Sequence, residues 1–205
     1  MTLILRPTYS RSLDYVTGRD ELPRVLNSRG LLGRGVEVGV NDGWFSDWIL
    51  RGWRGERLYS VDPWRAEIDR NGDYESWSQA QIDAVYDAVV ARLDAHGERS
   101  EILRTTSTDA AGGFPDGSLD FVYIDAAHDV DSVREDIAAW YPKVRPGGIV
   151  SGHDYHDGPL HGTVYGVKTA VRELCEREGL EASATLRDAP ERTWFVQVPE
   201  NGRGT

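Results

Sequence analysis

Cysteine is almost missing from this sequence of 205 residues, because Cys175 is the only one. A single cysteine excludes a disulfide within the chain, and its helical spacing from Val171 and Leu174 predicts a packed thiol. Long apolar runs are missing too, since none approaches the roughly 20 residues that span a bilayer. The first residues, MTLILRPTYSR, lack the apolar region and cleavage site of a signal peptide. We therefore expect a cytoplasmic protein with no membrane partner.

Positive charge is also in deficit. The sequence has 23 lysines and arginines against 34 aspartates and glutamates, which gives a formal net charge of −11. Proteins that bind nucleic acids gain much of their affinity by neutralising phosphates, so this balance argues against a nucleic-acid partner. A small neutral or cationic ligand suits such a chain better. The length is that of one well-buried domain, and we predict a single domain over residues 1–205.

The sequence does have a regular alternation of short apolar runs and helix-like segments. Seven runs have the composition of buried strands: 36–39, 58–62, 102–103, 121–124, 149–150, 184–186 and 193–198. Segments with apolar residues at helical spacing separate most of them, and one such pattern over Ser12–Arg29 precedes the first strand. This alternation predicts an α/β fold, Rossmann-like and doubly wound, with a mostly parallel seven-stranded sheet and an antiparallel C-terminal strand.

The stretch Asp120–Tyr155 contains two of these runs around one helical segment. Ser132 and Glu135 stand at the spacing of a capping box and predict the start of that helix. The crossover between parallel strands is almost always right-handed, so both strands point the same way. Their carboxyl ends should therefore lie side by side, and residues that follow the two strands should meet at one edge of the sheet.

Polar side chains follow both of these strands. Asp125 and His128 follow the first strand, and His153 and Asp154 follow the second. Two carboxylates and two imidazoles at the ligand-binding edge of a sheet suit a divalent cation or acid/base chemistry. Simpler roles stay open: Asp154 as a turn carboxylate, His153 as a half-buried imidazole, and His128 bonded to Asp131 or to a backbone carbonyl.

A glycine-containing turn follows the first strand of the chain. Glu37, Gly39 and Gly43 stand in the order E-x-G-x-x-x-G, which lacks both the G-x-G-x-x-G spacing and the G-K-[ST] of a P-loop. A dinucleotide or a triphosphate is thus disfavoured, and so is a nicotinamide-dependent oxidoreductase. Asp62 ends the next strand, where an acidic side chain commonly binds a ribose. These residues favour a nucleoside ligand with a cationic end, although the glycines could simply tighten the turn.

Five segments within residues 33–155 resemble, in order, the motifs of class I S-adenosylmethionine-dependent methyltransferases: EVGVNDG, VDP, TTSTD, YIDAAHDVDSV and RPGGIVSGHDY. The sequence is most similar to the small metal-dependent O-methyltransferases, which include enzymes that act on catechols and on macrolide sugars. The resemblance implies S-adenosylmethionine as cofactor and a hydroxyl group of a small molecule as methyl acceptor.

The resemblance also implies a role for each matching position. The residues that it places around the cofactor are Glu37, Gly39, Asn41 and Gly43 at the methionine part, Asp62 at the ribose, Ser107 and Thr108 at the adenine, and Asp125. By the same resemblance, Asp125 would also be the first metal ligand and a catalytic residue, and His128 would be the general base. His153 and Asp154 align with the two residues that complete the metal site in that family. The resemblance implies a divalent metal, with Mg²⁺ as the expected ion. Because imidazole is a poorer ligand for Mg²⁺ than oxygen, the alternatives are Mn²⁺ or another borderline ion, or a His153 that points elsewhere.

The acceptor is expected to reach the site between two loops, 63–77 and 155–166. Their aromatic residues could stack on a sugar ring or on an arene: Trp64, Tyr74, Trp77, Tyr155 and Tyr165. The resemblance favours a sugar or oligosaccharide, including the 1-hydroxyl of a methylated mannoside, over a catechol-like acceptor. A non-catalytic methyltransferase-like binding domain is the alternative class. A homodimer through the N-terminal helical segment 1–32 or through residues 63–77 is also possible.

Overall fold

The computed structural model describes residue 13, residues 16–66 and residues 77–200. A seven-stranded sheet forms its centre. Its strands are β1 (Arg34–Val38), β2 (Arg57–Asp62), β3 (Ser100–Arg104), β4 (Leu119–Ile124), β5 (Val144–Gly152), β8 (Ala182–Ala184) and β9 (Trp194–Gln197), and β6 and β7 form a separate hairpin described below. The order of strands across the sheet is β3-β2-β1-β4-β5-β9-β8. Neighbouring strands from β3 to β5 are parallel, and β9 runs antiparallel to both β5 and β8. The predicted fold class is confirmed.

Six α-helices cover the two faces of the sheet within the described residues. They are α1 (Leu22–Ser28), α2 (Trp44–Gly52), α3 (Gln79–Leu93), α4 (Ser107–Gly112), α5 (Val130–Trp140) and α6 (Val167–Glu178). Buried side chains of α1, α2 and α3 form one hydrophobic cluster, and those of α4, α5 and α6 form a second. The chain therefore builds three layers, with the sheet between two layers of helices.

Successive residues of the central strands enter opposite clusters, because side chains alternate along a strand. In β4, Val122 joins the cluster under α5, whereas Phe121 and Tyr123 join the cluster under α2. The same alternation in β1 directs Val36 and Val38 to one face and leaves Glu37 for the other. Burial on both faces explains why these strands are nearly continuous apolar runs.

The β4–α5–β5 unit forms as predicted, with one correction at the start of its helix. Phe121 pairs with Ile149 and Ile124 pairs with Gly152, so the two strands end together. The helix begins at Val130 and its N-cap is Asp129, whose carboxylate accepts the backbone N–H groups of Asp131 and Ser132. The predicted capping box at Ser132 and Glu135 is therefore wrong. The carboxylate of Asp129 already satisfies the first free N–H groups of the helix, so Ser132 is not needed as a cap.

The segment after β5 is more ordered than its composition suggested. It was expected to be a rim loop over 155–166, and it contains a two-stranded hairpin of β6 (Asp157–Leu160) and β7 (Thr163–Gly166). The backbone N–H of Gly166 donates to the carbonyl of His128 at 2.8 Å, which joins the hairpin to the loop after β4. This segment therefore forms a fixed wall beside the ends of β4 and β5.

The N-terminal pattern is shorter as a helix than predicted. The α-helix spans Leu22–Ser28, and a short 3₁₀ turn, Arg19–Glu21, precedes it. Val16 and Leu13 of the predicted pattern are buried beside α1 and α2 without belonging to that helix.

Of the predicted loop over 63–77, residues 67–76, including Tyr74, lie outside the described residues. No helix in the described part of the chain is long and apolar enough to cross a membrane.

Candidate active site

Four side chains from the ends of β4 and β5 converge at one edge of the sheet, as the sequence predicted. His128 Nε2 lies 3.0 Å from Asp154 Oδ2. His153 Nδ1 lies 3.3 Å from Asp154 Oδ1 and 3.8 Å from Asp125 Oδ1. The structure thus brings Asp125, His128, His153 and Asp154 together, with two imidazoles facing two carboxylates.

Three of these residues form a potential metal site. One ligand atom each from Asp125, His128 and Asp154 lies within 4.8 Å of the other two. Two carboxylate oxygens and one imidazole nitrogen are a donor set that suits Mn²⁺ and related ions, and Mg²⁺ less well. The geometry favours His128 in this set, where the sequence-based assignment had His153 as the third ligand and His128 as a base.

The charges of the cluster are strongly coupled. Burial raises the pKa of Asp125 to about 6, although the His153 imidazole opposes this shift. Burial also acts to raise the pKa of Asp154, but the hydrogen bonds from His128 and His153 outweigh it and hold that pKa well below its usual range. Asp154 therefore carries its charge at any pH near neutrality, and it accepts from both imidazoles.

The backbone at Asp154 is in an uncommon conformation. Its φ is 55°, in the left-handed region that residues other than glycine rarely adopt. Asn41 after β1 and Trp64 after β2 also have positive φ, of 51° and 41°. Strained backbone of this kind concentrates at functional sites, where the surrounding structure holds it in place. Here it lies just beyond the ends of three strands that point to the same edge.

The glycine turn after β1 lies directly against the end of β4. Gly39 has a φ of 83°, and a Cβ at this position would be 2.0 Å from the backbone carbonyl oxygen of Asp125. Only glycine fits such an approach. Gly43 caps α2 in the left-handed conformation, with a φ of 76°. The predicted cofactor turn and the predicted first metal ligand are therefore in backbone contact.

Asp62 is tied to this turn by its own carboxylate. Oδ2 accepts the N–H groups of Val40 and Asn41 at 3.0 Å each, and Oδ1 accepts the N–H of Trp64 at 2.8 Å. The side chain is 8% exposed. Asp62 thus holds the end of β2 against the turn after β1, and its predicted contact with a ribose stays a prediction.

Glu37 is buried beneath the turn and not at its surface. It is 1% exposed, and it accepts a short hydrogen bond from the hydroxyl of Ser46, which lies 2.7 Å from the hydroxyl of Ser60. Burial raises the pKa of Glu37 to about 8, although the Ser46 hydroxyl opposes the shift. Glu37 is therefore largely protonated at neutral pH, and it joins β1, α2 and β2 under the candidate cofactor site.

Ser107 and Thr108, predicted to lie beside adenine, begin helix α4. The hydroxyl of Ser107 donates to Asp136 and accepts from Trp140 Nε1 at 2.9 Å, so it faces helix α5. Thr108 is exposed in the first turn of α4. The segment is held at the end of β3 by the N-cap Thr106, whose side chain accepts the N–H of Asp109.

Some residues at this edge were not found from the sequence. Arg19, from the segment before α1, places Nη1 3.5 Å from Asp125 Oδ2. Trp44 and Trp48 of α2 stack on each other with ring centroids 5.8 Å apart, and both are partly exposed. Trp64, predicted to stack on the acceptor, is fully buried and donates Nε1–H to the carbonyl of Asn41 at 3.0 Å, so this prediction is wrong.

The hairpin contributes one more aromatic contact. Tyr165 stacks on His128, with ring centroids 4.5 Å apart and planes 11° apart. At 8% exposure, Tyr165 supports the imidazole and offers little surface to a ligand. The sequence predicted that this residue lies at the site but not that it orients His128.

A family profile described as "Methyltransferase domain" (Methyltransf_24) matches residues 36–155, more than half of the chain. Among curated proteins, the chain is similar to an uncharacterized protein, y4gI, of Sinorhizobium fredii, with 26% identity over 133 residues. That alignment covers 65% of this chain and 14% of the relative, so the chain spans only a small part of that protein's length.

Solved structures share the fold. An O-methyltransferase from Bacillus cereus in complex with SAH is 15% identical, with a TM-score of 0.59 over 87% of this chain and 79% of that one. The O-methyltransferase TomG of Streptomyces achromogenes, involved in tomaymycin synthesis and solved with SAM, is 18% identical, with a TM-score of 0.60 over 88% and 78%. A spermidine synthase from Thermotoga maritima also matches, at 14% identity and a TM-score of 0.58 over 88% and 57%.

These structural matches establish the fold and do not distinguish among reactions. The family profile is more specific, because it covers the ends of all five parallel strands, where the turn after β1 meets Asp125. The similarity is thus located where a methyl-transfer site would be, as the sequence motifs predicted. This chain belongs to the methyltransferase family and has the class I fold.

Proposed function

We propose that this protein transfers the methyl group of S-adenosylmethionine to a hydroxyl group of a small acceptor, with help from a divalent cation. One observation carries the proposal: Asp125, His128 and Asp154 offer ligand atoms within 4.8 Å of one another. This cluster lies in backbone contact with the glycine turn of a methyltransferase fold. A methyl donor at the turn and a hydroxyl at the cluster would then be neighbours.

The acidic character of this edge supports a sulfonium ligand. Asp62, Asp125 and Asp154 lie at the ends of β2, β4 and β5, and each is largely buried. A positively charged ligand is attracted to such a place, because opposite charges in a partly buried site interact strongly. S-adenosylmethionine supplies an electrophilic methyl group on a positively charged sulfur.

In the transfer itself, the methyl carbon forms a bond to the acceptor oxygen while its bond to sulfur breaks. The hydroxyl proton passes to the ring of His128, and Asp154, 3.0 Å away, stabilises the imidazolium that results. Tyr165 stacks on the imidazole and fixes its plane. A base positioned in this way contributes roughly 10²- to 10⁴-fold in rate.

The residues that would hold the cation are Asp125 and Asp154, with an imidazole of His128 or His153 as the third ligand. When bound there, a divalent ion supplies Lewis-acid stabilisation of the developing negative charge on oxygen. Mg²⁺ is the ion that the family resemblance implies, and the nitrogen donors favour testing Mn²⁺ beside it. If His128 is a metal ligand, the candidate base is His153, whose Nδ1 also lies near the carboxylates of Asp125 and Asp154.

For the acceptor, we favour a sugar or oligosaccharide. Trp44, Trp48 and Trp77 are each about two-fifths exposed, so part of each indole is open to a ligand. Such rings stack on the apolar face of a sugar and also on an arene, so a catechol-like acceptor is the alternative. Adjacent hydroxyl groups would suit a cation in either case, and the 1-hydroxyl of a methylated mannoside is one narrower candidate.

The test is a transfer assay with S-adenosylmethionine labelled in its methyl group. The acceptor panel contains hexoses, methylated mannosides, short oligosaccharides and catechols, each with EDTA, Mg²⁺ or Mn²⁺. We expect label in an acceptor, loss of activity with EDTA and recovery with a metal. The His128→Gln variant separates the two roles of His128: as a base it would lower turnover at saturating metal, and as a ligand it would raise the metal concentration needed.

The result that would contradict the proposal is binding of S-adenosylhomocysteine without label in any hydroxyl acceptor under any of these conditions. That outcome would favour the non-catalytic alternative, a methyltransferase-like binding domain. Thermal unfolding with the same ligand measures the binding separately, since a ligand at about 100 times its dissociation constant adds about 2.7 kcal/mol of stability.

A further inference from the structure

Arg19 brings a positive charge to the acidic edge of the sheet. It belongs to the segment Val16–Glu21, before α1 and outside the residues that the family profile matches. Its Nη1 lies 3.5 Å from Asp125 Oδ2, and its side chain is 34% exposed. This residue comes from a distant part of the sequence and reaches the place where β1 and β4 end.

The surroundings of the guanidinium locate it next to the glycine turn. It lies over the rings of Trp44 and Phe45, 5.5 and 5.3 Å from their centroids. These two residues begin α2 immediately after Gly43, the last glycine of the turn. Arg19 therefore contacts both Asp125 and the first residues of α2, which are elements on which the proposed cofactor site depends.

The loop between β8 and β9 holds the segment that carries Arg19 through hydrogen bonds that do not involve Asp125. The backbone N–H of Arg19 donates to Asp188 Oδ2 at 3.0 Å, and Arg187 donates to Asp20 Oδ1 at 3.0 Å. The N–H of Arg187 also donates to the carbonyl of Thr17 at 2.9 Å. The loop before β9 thus fixes the segment in place, so the position of Arg19 does not depend on Asp125 alone.

The position of Arg19 suits one particular group of the proposed cofactor. The methionine part of S-adenosylmethionine carries an α-carboxylate besides its ammonium and sulfonium groups. Asp125, the carboxylate that Arg19 contacts, suits the cationic groups and cannot bind an anion while it is ionised. Glu37 is buried beneath the turn and Asp62 accepts backbone N–H groups, so neither offers a donor to a carboxylate. A guanidinium has five N–H donors in a planar fork, which matches a carboxylate in two-point contact.

We propose that Arg19 binds the α-carboxylate of the methionine part of S-adenosylmethionine, and so contributes a cofactor-binding residue from outside the matched region. This inference rests on the proposed function. In the free protein, the guanidinium of Arg19 makes a long contact to Asp125 through Nη1 and a hydrogen bond to the side chain of Tyr123. A guanidinium has five N–H donors, so others can take the ligand's carboxylate. Asp125 is then left to the cationic side of the cofactor and to the metal.

The experiment compares two ligands that differ by a single group. S-adenosylmethionine and its decarboxylated form share the adenosine, the sulfonium and the ammonium, and only the first has the carboxylate. Calorimetric titration measures the dissociation constant of each for the wild type, Arg19→Gln and Arg19→Lys. We expect Arg19→Gln to raise the dissociation constant of S-adenosylmethionine by about 10- to 100-fold. Loss of a hydrogen bond to a charged group usually weakens binding by about this factor.

For the decarboxylated ligand, the same variant should change the dissociation constant by less than about threefold, because it has no group for Arg19 to bind. Arg19→Lys should keep part of the preference for S-adenosylmethionine over its decarboxylated form. Lysine keeps the positive charge but lacks the planar pair of N–H donors that contacts a carboxylate at two points. The control is Arg24→Gln on α1, where the arginine pairs with Glu21 and does not reach Asp125. This control should leave both constants unchanged.

Each other outcome has a definite meaning. An equal loss for both ligands would overturn the assignment and make Arg19 a positioning residue for Asp125. Unchanged binding of S-adenosylmethionine by Arg19→Gln would overturn it as well. If the wild type binds neither ligand, with or without Mn²⁺, the proposed function itself fails, and this assignment fails with it. Thermal unfolding of each variant without ligand separates these results from a loss of folding.

Discussion

Two regions of the molecule meet at the candidate site, and they are built in different ways. The matched region, residues 36–155, supplies Asp125, His128 and Asp154 from strand ends that are packed on both faces. The outer region consists of residues 16–21, the β6–β7 hairpin and the loop over residues 185–193. The loop over residues 185–193 contacts each of the other two segments, through the pairs Arg187–Asp20 and His161–Glu191, and Arg19 contacts Asp125 at the end of β4.

This difference suggests a division of work. Parallel strands fix the positions of the groups that would bind cofactor and metal, because main-chain pairing leaves little freedom there. The outer segments depend on exposed ion pairs, which are worth little individually and change easily. We therefore expect the chemistry to depend on the first region. The choice of acceptor should depend on the hairpin and the loop over residues 185–193, and the proposed contact of Arg19 with the cofactor is the contribution of residues 16–21.

The largest expected effect belongs to Asp154→Asn in the matched region. The variant removes the charge that accepts from His128 at 3.0 Å and from His153 at 3.3 Å, and it removes one metal ligand. We expect turnover to fall by roughly 10³-fold, with the affinity for S-adenosylhomocysteine little changed. The control is Asp131→Asn, an exposed carboxylate on α5 that pairs with Arg134. Equal activity of the two variants would remove Asp154 from the site.

The second prediction tests the contact between the turn and β4. In Gly39→Ala, the new Cβ would be 2.0 Å from the carbonyl oxygen of Asp125, at a φ of 83°. We expect the free energy of unfolding to fall by roughly 3 kcal/mol or more. Gly30→Ala has a similar φ of 70° and nothing within 4 Å, so it should cost only about 1 kcal/mol. Urea unfolding of both variants measures the difference, and equal costs would contradict the close approach.

The third prediction concerns the buried Glu37. Because its pKa in the folded protein is about 8 and its usual value is 4.5, the folded state binds more protons than the unfolded state between these values. The stability contribution of this group is therefore lost as the pH rises through that window. Glu37→Gln is neutral at every pH, and it should gain roughly 1–3 kcal/mol relative to the wild type between pH 5 and pH 8.

Denaturant unfolding of the wild type and of Glu37→Gln across this pH range measures the effect of Glu37. The control is Glu98→Gln, because Glu98 is exposed in the turn before β3. The two variants should diverge as the pH rises. Parallel pH profiles of Glu37→Gln and the wild type would show that Glu37 is ionised in the folded protein.

The smallest effect on stability is expected in the outer region. Glu191→Gln removes the carboxylate that contacts the His161 ring, and the side chains of Glu191 and His161 are 38% and 65% exposed. The free energy of unfolding should change by less than about 0.5 kcal/mol. The KM for the acceptor should still change severalfold, because this pair joins the hairpin to the loop before β9. The control is Asp116→Asn, which breaks the pair with Lys143 at the other edge of the sheet, where β4 and β5 begin. It should leave the KM for the acceptor unchanged and alter the free energy of unfolding equally little.

The sequence predicted the matched region well for a physical reason. Parallel strands with apolar runs end at a common edge, so Asp125 and Asp154 had to meet whatever the details of the loops. The exact ligand set was not predictable, because the residue types alone do not say which imidazole reaches both carboxylates. The N-cap was wrong for a similar reason: Asp129 and Ser132 both suit a helix start, and only the backbone path decides between them.

The outer region was largely beyond sequence reasoning. Arg19 and Asp125 are 106 positions apart, and no periodicity links them. The glycine and histidine content of residues 155–166 is typical of loops, and the pairing of β6 with β7 overrides it. Trp64 stands in a polar segment, yet its indole is covered by the turn after β1. These contacts depend on tertiary structure, which local composition does not record.

The missing side chain at Gly39 has a consequence for anyone who wishes to redesign this protein. The backbone of the turn after β1 touches the backbone after β4 at this glycine. The distance between the methyl donor and the nucleophile would therefore be set by backbone atoms, whose positions depend neither on pH nor on side-chain rotation. Directed evolution towards new acceptors should therefore vary the hairpin and its neighbours freely. Mutagenesis libraries should leave this glycine unchanged, because a side chain there would remove a large part of the free energy of unfolding.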